Sequence, residues 1–149
     1  MVTIDRLRED LIATGSFSRT VQARIDKYEL LDRHCGVTRP TGSEGDKEIR
    51  DYGVARMREA GLTVRIDGIG NIFGRKDGDK RDNGTILCGS HLDSVINGGM
   101  FDGTVGVFGA IEAVRRMNDA GFKNARPVEV VVFTAEEGSA FKQTLLGSS

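Results

Sequence analysis

The sequence predicts an α/β fold: a mostly parallel central sheet with an antiparallel edge and helices on both faces. Three observations lead there. Residues 85–88 and 128–134 are mostly continuous apolar runs, the pattern of strands covered on both faces. Between them Val107, Phe108, Ala110, Ile111, Val114 and Met117 form a wide apolar helix face. The order strand, helix, strand is a crossover unit and implies a parallel pair. Residues 62–67 alternate with period two, as a half-buried strand does, and residues 71–75 read as its antiparallel partner.

The remaining elements follow in order. Ile4, Leu7, Leu11 and Ile12 share one helical face, and Gly15 stands where that helix should end. Val21, Ile25, Tyr28 and Leu31 make a second, weaker stripe. A loop follows through 36–42. Ser43 with Asp46 three residues on has the form of a capping box. Ile49, Tyr52 and Ala55 then recur at threes, and Gly61 sits where a helix C-terminus favours glycine. The polar turn 77–80 closes the antiparallel pair.

Composition narrows the function classes. A length of 149 residues suggests one domain with a real core. The net charge of −1 comes from 21 basic and 22 acidic residues, so no basic surplus calls for nucleic acid or an anionic membrane. No apolar run approaches a membrane span, and the charged first ten residues do not read as a signal peptide. Cys35 and Cys88 lie far apart without CxxC pairing, which suits reduced thiols in a cytoplasmic protein. The 20 glycines cluster at joints, most densely around His91, which suggests backbone constrained by a site.

That cluster is "GSHLDSVINGGMFDG", residues 89–103. On the predicted framework His91 and Asp93 lie just beyond the C-terminal end of the first apolar strand. Glu136 and Glu137 lie just beyond the end of the second, and Asp102 opens the crossover helix. Ligands of open α/β sheets bind at these strand ends. Clustered carboxylates need a compensating positive charge in apolar surroundings, and no Lys or Arg occurs between Gly84 and Arg115. A divalent metal would serve; imidazole with carboxylates suits Zn, Mn, Co or Ni better than Ca or Mg. Asp93 is placed to hold the other imidazole nitrogen, and Gly98, Gly99 and Gly103 to let backbone approach the site. Each feature also has an ordinary reading: a surface hydrogen bond for His91, a helix N-terminus for the Glu pair, an N-cap for Asp102. Their convergence on one sheet edge favours the metal site.

Four stretches carry a family resemblance: "GVTR" at 36–39, "MREAGLTVRIDGIGNIFGR" at 57–75, "GSHLDSVINGGMFDG" at 89–103 and "VVVFTAEEGSAF" at 130–141. With them the chain resembles the M20-type metallo-amidohydrolases and peptidases. "GGMFDG" makes it most similar to the N-carbamoyl-L-amino acid amidohydrolase and allantoate amidohydrolase branch. The resemblance implies a partial zinc-peptidase-like catalytic domain holding two divalent ions (Zn, Mn, Co or Ni). It implies that His91 binds one ion, Asp102 bridges, Glu137 binds the other, Glu136 is the general base and Asp93 orients His91. It further implies a small ureido or carbamoyl substrate cleaved at a C–N bond, and a homodimeric full-length enzyme. An aminopeptidase or aminoacylase of the same superfamily, or a non-catalytic remnant with a binding role, are the alternatives.

Members of that family are far longer, with further histidine ligands downstream and an inserted lid or dimerisation domain. Residues 1–149 are therefore expected to be the N-terminal part of a catalytic domain, with an exposed sheet edge. Three ligands are too few to close two four-coordinate sites, so the isolated chain is expected to bind metal weakly and to hydrolyse nothing. The other histidine, His34, matches no ligand of the family and reads as a surface or capping residue.

Overall fold

The computed structural model describes residues 4–18, 36–80, 84–138, 140–141 and 143–149. The stripe at Val21, Ile25, Tyr28 and Leu31, together with His34 and Cys35, lies outside the described residues. The elements are α1 (Asp5–Thr14), α2 (Glu44–Glu59), β1 (Thr63–Ile66), β2 (Ile72–Lys76), β3 (Ile86–His91), α3 (Thr104–Asp119) and β4 (Val128–Phe133).

Local chemistry sets these boundaries where the sequence placed them. Gly15 caps α1. The Ser43 hydroxyl accepts the Asp46 N–H at 3.2 Å, and the Asp46 carboxylate accepts the Gly42 N–H at 2.9 Å. The first satisfies one of the donors that a helix start leaves free, and the second ties the residue before the cap back onto the first turn. Gly61 follows α2 with φ 76°, the left-handed residue that ends many helices. Asp67 closes the β1–β2 turn by accepting the N–H groups of Ile69 and Asn71.

The four strands form one sheet in the order β1-β2-β4-β3. β3 and β4 are parallel, joined through α3, while β1–β2 and β2–β4 are antiparallel. The class is the expected α/β one, and the described sheet is mixed. β4 is its most buried strand, with every residue from Val128 to Val132 inside. β3 stands at the edge, and its Ile86 and Leu87 are about half exposed. The second apolar run is thus central, and the first borders the sheet among the described residues.

One core cluster joins Ile49 and Met57 of α2, Val107, Phe108, Ile111 and Val114 of α3, and Val128, Val130 and Val132 of β4. The alternate positions of β4 therefore meet both helices on one face, with α1 packed against α3. Full burial of each such side chain contributes about 1.5–3 kcal/mol. The opposite face carries Phe73, stacked under Arg65, and Val131 and Glu129; no described helix packs there, so the described helices all share the core face. No helix among the described residues is long and apolar enough to cross a membrane.

Candidate metal centre

The parallel register pairs His91 with Phe133, so the two strands end side by side. His91 is the last residue of β3 rather than just beyond it. It is 5 % exposed. Its Nδ1 donates to the Asp93 carbonyl at 3.0 Å, with the Asp93 carboxylate 3.6 Å away. A carbonyl can only accept, so this bond places the ring proton on Nδ1 and leaves the Nε2 lone pair outward. Nε2 faces Asp102 Oδ1 at 3.8 Å and Glu136 Oε2 at 3.7 Å.

Asp93 links the segments beneath the site. Its Oδ1 accepts the Glu136 N–H at 3.3 Å; its Oδ2 accepts the Glu137 N–H at 3.2 Å and the Thr41 hydroxyl at 3.0 Å. Ala135 adopts φ 55° just before the Glu pair, turning the chain at the end of β4. This is an uncommon conformation for a residue with a Cβ. No helix follows among the described residues, so the helix-start explanation of the Glu pair does not hold. Gly103, not Asp102, caps α3, without any side-chain cap bond. The Asp102 carboxylate is left free to face His91.

Gly103 shows why glycine is needed here. Its φ is 67°, and a Cβ would fall 2.5 Å from the His91 carbonyl and 2.8 Å from Nδ1. The expected close approach therefore belongs to Gly103. Gly99 has no such need, since the nearest atom to a Cβ there would be 3.9 Å away.

Electrostatics separate the inner and outer parts of the site. Burial alone would lower the His91 pKa, but Asp93 and then Glu136 outweigh it and hold the imidazole above its usual range. Burial would likewise raise Asp93, but His91, Thr41 and the Glu137 N–H hold it below the ordinary carboxylate range. Glu137 is pushed up by burial and by the Asp102 and Glu136 charges, against the pull of His91. An outer group with its charge disfavoured beside an open imidazole nitrogen suits a cation.

His91, Asp102 and Glu137 each offer one ligand atom, and these atoms lie within 4.8 Å of one another. Donors about 2.0–2.2 Å from a common ion would span such distances after small side-chain rotations. The donor set fits a divalent metal. It is the one such group of three among the described residues, with Glu136 beside it.

Sequence reasoning missed two residues. Thr41 supplies the hydroxyl on Asp93, and Arg39 is fully buried beneath the site. Arg39 donates to the carbonyls of Leu92 at 3.2 Å and Thr14 at 3.0 Å, and its own N–H donates to the Ser94 hydroxyl. Burial pushes its pKa down to about 10, against the attraction of Asp46 and Asp93. The absence of cations from 84–115 therefore overstated the isolation of Asp93: the fold brings one from residue 39. The "GVTR" stretch was the available signal.

A parallel crossover whose strand ends present an imidazole and carboxylates defines a hydrolase-type α/β domain with a metal-competent centre. The Peptidase family M28 model matches residues 71–149, just over half of the chain. The chain belongs to that family, within the M28/M20-like hydrolase fold. An N-carbamoyl-L-amino acid amidohydrolase of Geobacillus stearothermophilus is 47 % identical over 113 residues, covering 76 % of this chain and 28 % of that protein. Allantoate deiminase 1 of Glycine max is 47 % identical over 94 residues, covering 62 % and 20 %. The crystal structure of a hydantoinase/carbamoylase family amidase from Burkholderia ambifaria superposes with a TM-score of 0.86 at 36 % identity, covering 99 % of this chain and 33 % of that one. These are the relatives to which "GGMFDG" pointed. The chain spans between a fifth and a third of their length.

Proposed function

We propose that this chain is the N-terminal part of a binuclear metal-dependent hydrolase that cleaves a C–N bond of a carbamoyl or ureido compound, of the N-carbamoyl-L-amino acid or allantoate type. The grouping of the His91, Asp102 and Glu137 donors at the ends of a parallel strand pair carries the reading, and the named relatives support the substrate class. In this reading His91, Asp102 and Glu137 would hold the ions, with Asp102 shared between them. Divalent ions there would polarise the substrate carbonyl and lower the pKa of a bound water. Glu136 takes the proton of the attacking water and hands it to the departing nitrogen. Asp93 keeps the His91 ring proton on Nδ1 and orients the Glu pair through its two N–H bonds. Zn, Mn, Co or Ni suit the donor set. A cytoplasmic location and a homodimeric whole protein belong to the same reading; the free Cys88 thiol is compatible with a reducing compartment.

The test is release of ammonia from N-carbamoyl-L-amino acids and from allantoate. It is run with the 149-residue chain alone and fused to the remaining part of a related N-carbamoyl-L-amino acid amidohydrolase. The chain alone should show no turnover. The fusion should be active, and Glu136→Gln should abolish that activity. Preferential cleavage of peptides or N-acyl amino acids would favour the aminopeptidase or aminoacylase alternative. A fusion that keeps full activity with Glu136→Gln would contradict the proposed base.

A further inference from the structure

We propose that Thr41 is a positioning residue for the metal centre: its hydroxyl fixes the Asp93 carboxylate and, through it, His91 and the Glu136–Glu137 turn. This rests on the metal-site reading above.

The geometry is specific. Asp93 is 3 % exposed, and its two oxygens meet groups from three separate segments. Two of those contacts, the Glu136 and Glu137 N–H groups, come from the end of β4. The His91 ring, 3.6 Å from Oδ1, comes from the end of β3. Thr41, donating to Oδ2 at 3.0 Å, brings a hydrogen bond from a third segment, and it comes from a side chain. The Glu136 and Glu137 N–H bonds are long, at 3.3 and 3.2 Å, and the torsional profile about χ2 is broad. The Thr41 hydroxyl makes the shortest of the three hydrogen bonds, from another segment, and narrows that freedom.

Thr41 is itself held from both sides. Upstream, the Val37–Gly98 bridge and the reciprocal contacts between Arg39 and Ser94 tie residues 37–39 to the stretch after His91. Downstream, the Ser43–Asp46 capping contacts fix the start of α2. The loop 36–42 is thereby registered against the site, and Thr41 is where that registration reaches Asp93. The Thr41 hydroxyl is bonded to Asp93, so it acts through Asp93. Partners of this indirect kind typically alter metal affinity about 10–100-fold.

The experiment titrates the metal-free chain with Co²⁺ and follows the visible absorption of the bound ion. It compares the unaltered chain with Thr41→Val, Thr41→Ser and His91→Ala, and records each metal-free thermal midpoint. Thr41→Val, isosteric but without the hydroxyl, should weaken Co²⁺ binding about tenfold or more and change the absorption band. Thr41→Ser should restore both. Thr41→Ala reports the same loss if valine disturbs folding. Valine and alanine variants binding like the unaltered chain, or a serine variant as weak as valine, would overturn the proposal. If His91→Ala leaves the Co²⁺ band unchanged, or the unaltered chain gives none, the metal-site reading itself fails and this inference falls with it.

Discussion

Among the described residues, one cluster of carboxylates lies between the helices and another at the strand ends, and they are neutralised in opposite ways. Between α1, α2 and α3, Glu112 receives Arg6 at 2.9 Å, Arg116 at 3.1 Å and Arg115 at 3.5 Å. Asp10 beside it takes Arg115 at 2.6 Å and the Tyr52 hydroxyl at 2.7 Å. At the strand ends, Asp102 and Glu136 face the imidazole Nε2 of His91 at 3.8 and 3.7 Å. The titration of one glutamate in each place shows the difference. Burial would raise both, but Arg6 and Arg116 hold Glu112 below the usual carboxylate range. Glu137 is pushed above it by burial and neighbouring acids. Arginines make the first cluster a closed brace for α1 on α3; the second is arranged for a cation from outside the chain.

Breaking the brace should have the largest effect. Asp10→Ala removes the closer carboxylate of the half-buried Arg115, leaving Glu112 at 3.5 Å, together with the acceptor of Tyr52, and should cost about 3 kcal/mol, read by chemical unfolding. Metal affinity measured on the remaining folded protein should not change; a parallel loss of metal binding would mean that the clusters are coupled. His91→Ala makes the reverse change. It should weaken Zn²⁺ binding about 100-fold, or about 2.7 kcal/mol, in a calorimetric titration, while the unfolding midpoint without metal moves little. Gly103→Ala touches both properties. With φ 67° and the His91 ring in its way, an added methyl should cost about 1–3 kcal/mol and also weaken metal binding. Loss of stability with unchanged affinity would show that His91 does not depend on that approach.

The smallest effect is a pH dependence. Glu112 has its folded pKa depressed, so its stabilisation is present above its unfolded value near 4.5 and is lost as pH falls through the lower folded one. Glu112→Gln should flatten the acid limb of a thermal-stability profile below that value. An unchanged acid limb would remove Glu112 from the brace.

Much of this was legible because the relevant signals are local. Ser43 marks a helix start by its side-chain cap and Gly61 a helix end by its left-handed backbone, and the structure uses both; Gly15 ends α1 in an ordinary right-handed conformation. The run 128–133 is central because its valines are buried on both faces. The convergence of His91, Asp102 and Glu137 followed from placing each at a strand end or at the start of the crossover helix. What escaped depends on contacts between distant segments. Ile66, at a core-facing position by alternation, is largely exposed at the end of the edge strand β1. Asp102 carries a typical cap residue's identity but leaves the cap to Gly103. Thr41 and Arg39 reach the site across more than fifty residues, and no periodicity reports such a contact.

The central claim is that His91, Asp102 and Glu137 hold a divalent cation together. Anomalous diffraction from crystals of the chain grown with Zn²⁺ or Mn²⁺ tests it most directly. The account predicts a peak about 2.0–2.3 Å from His91 Nε2 and from an oxygen of at least one of the two carboxylates. A well-occupied peak elsewhere on the molecule, with the three side chains unliganded, would contradict it.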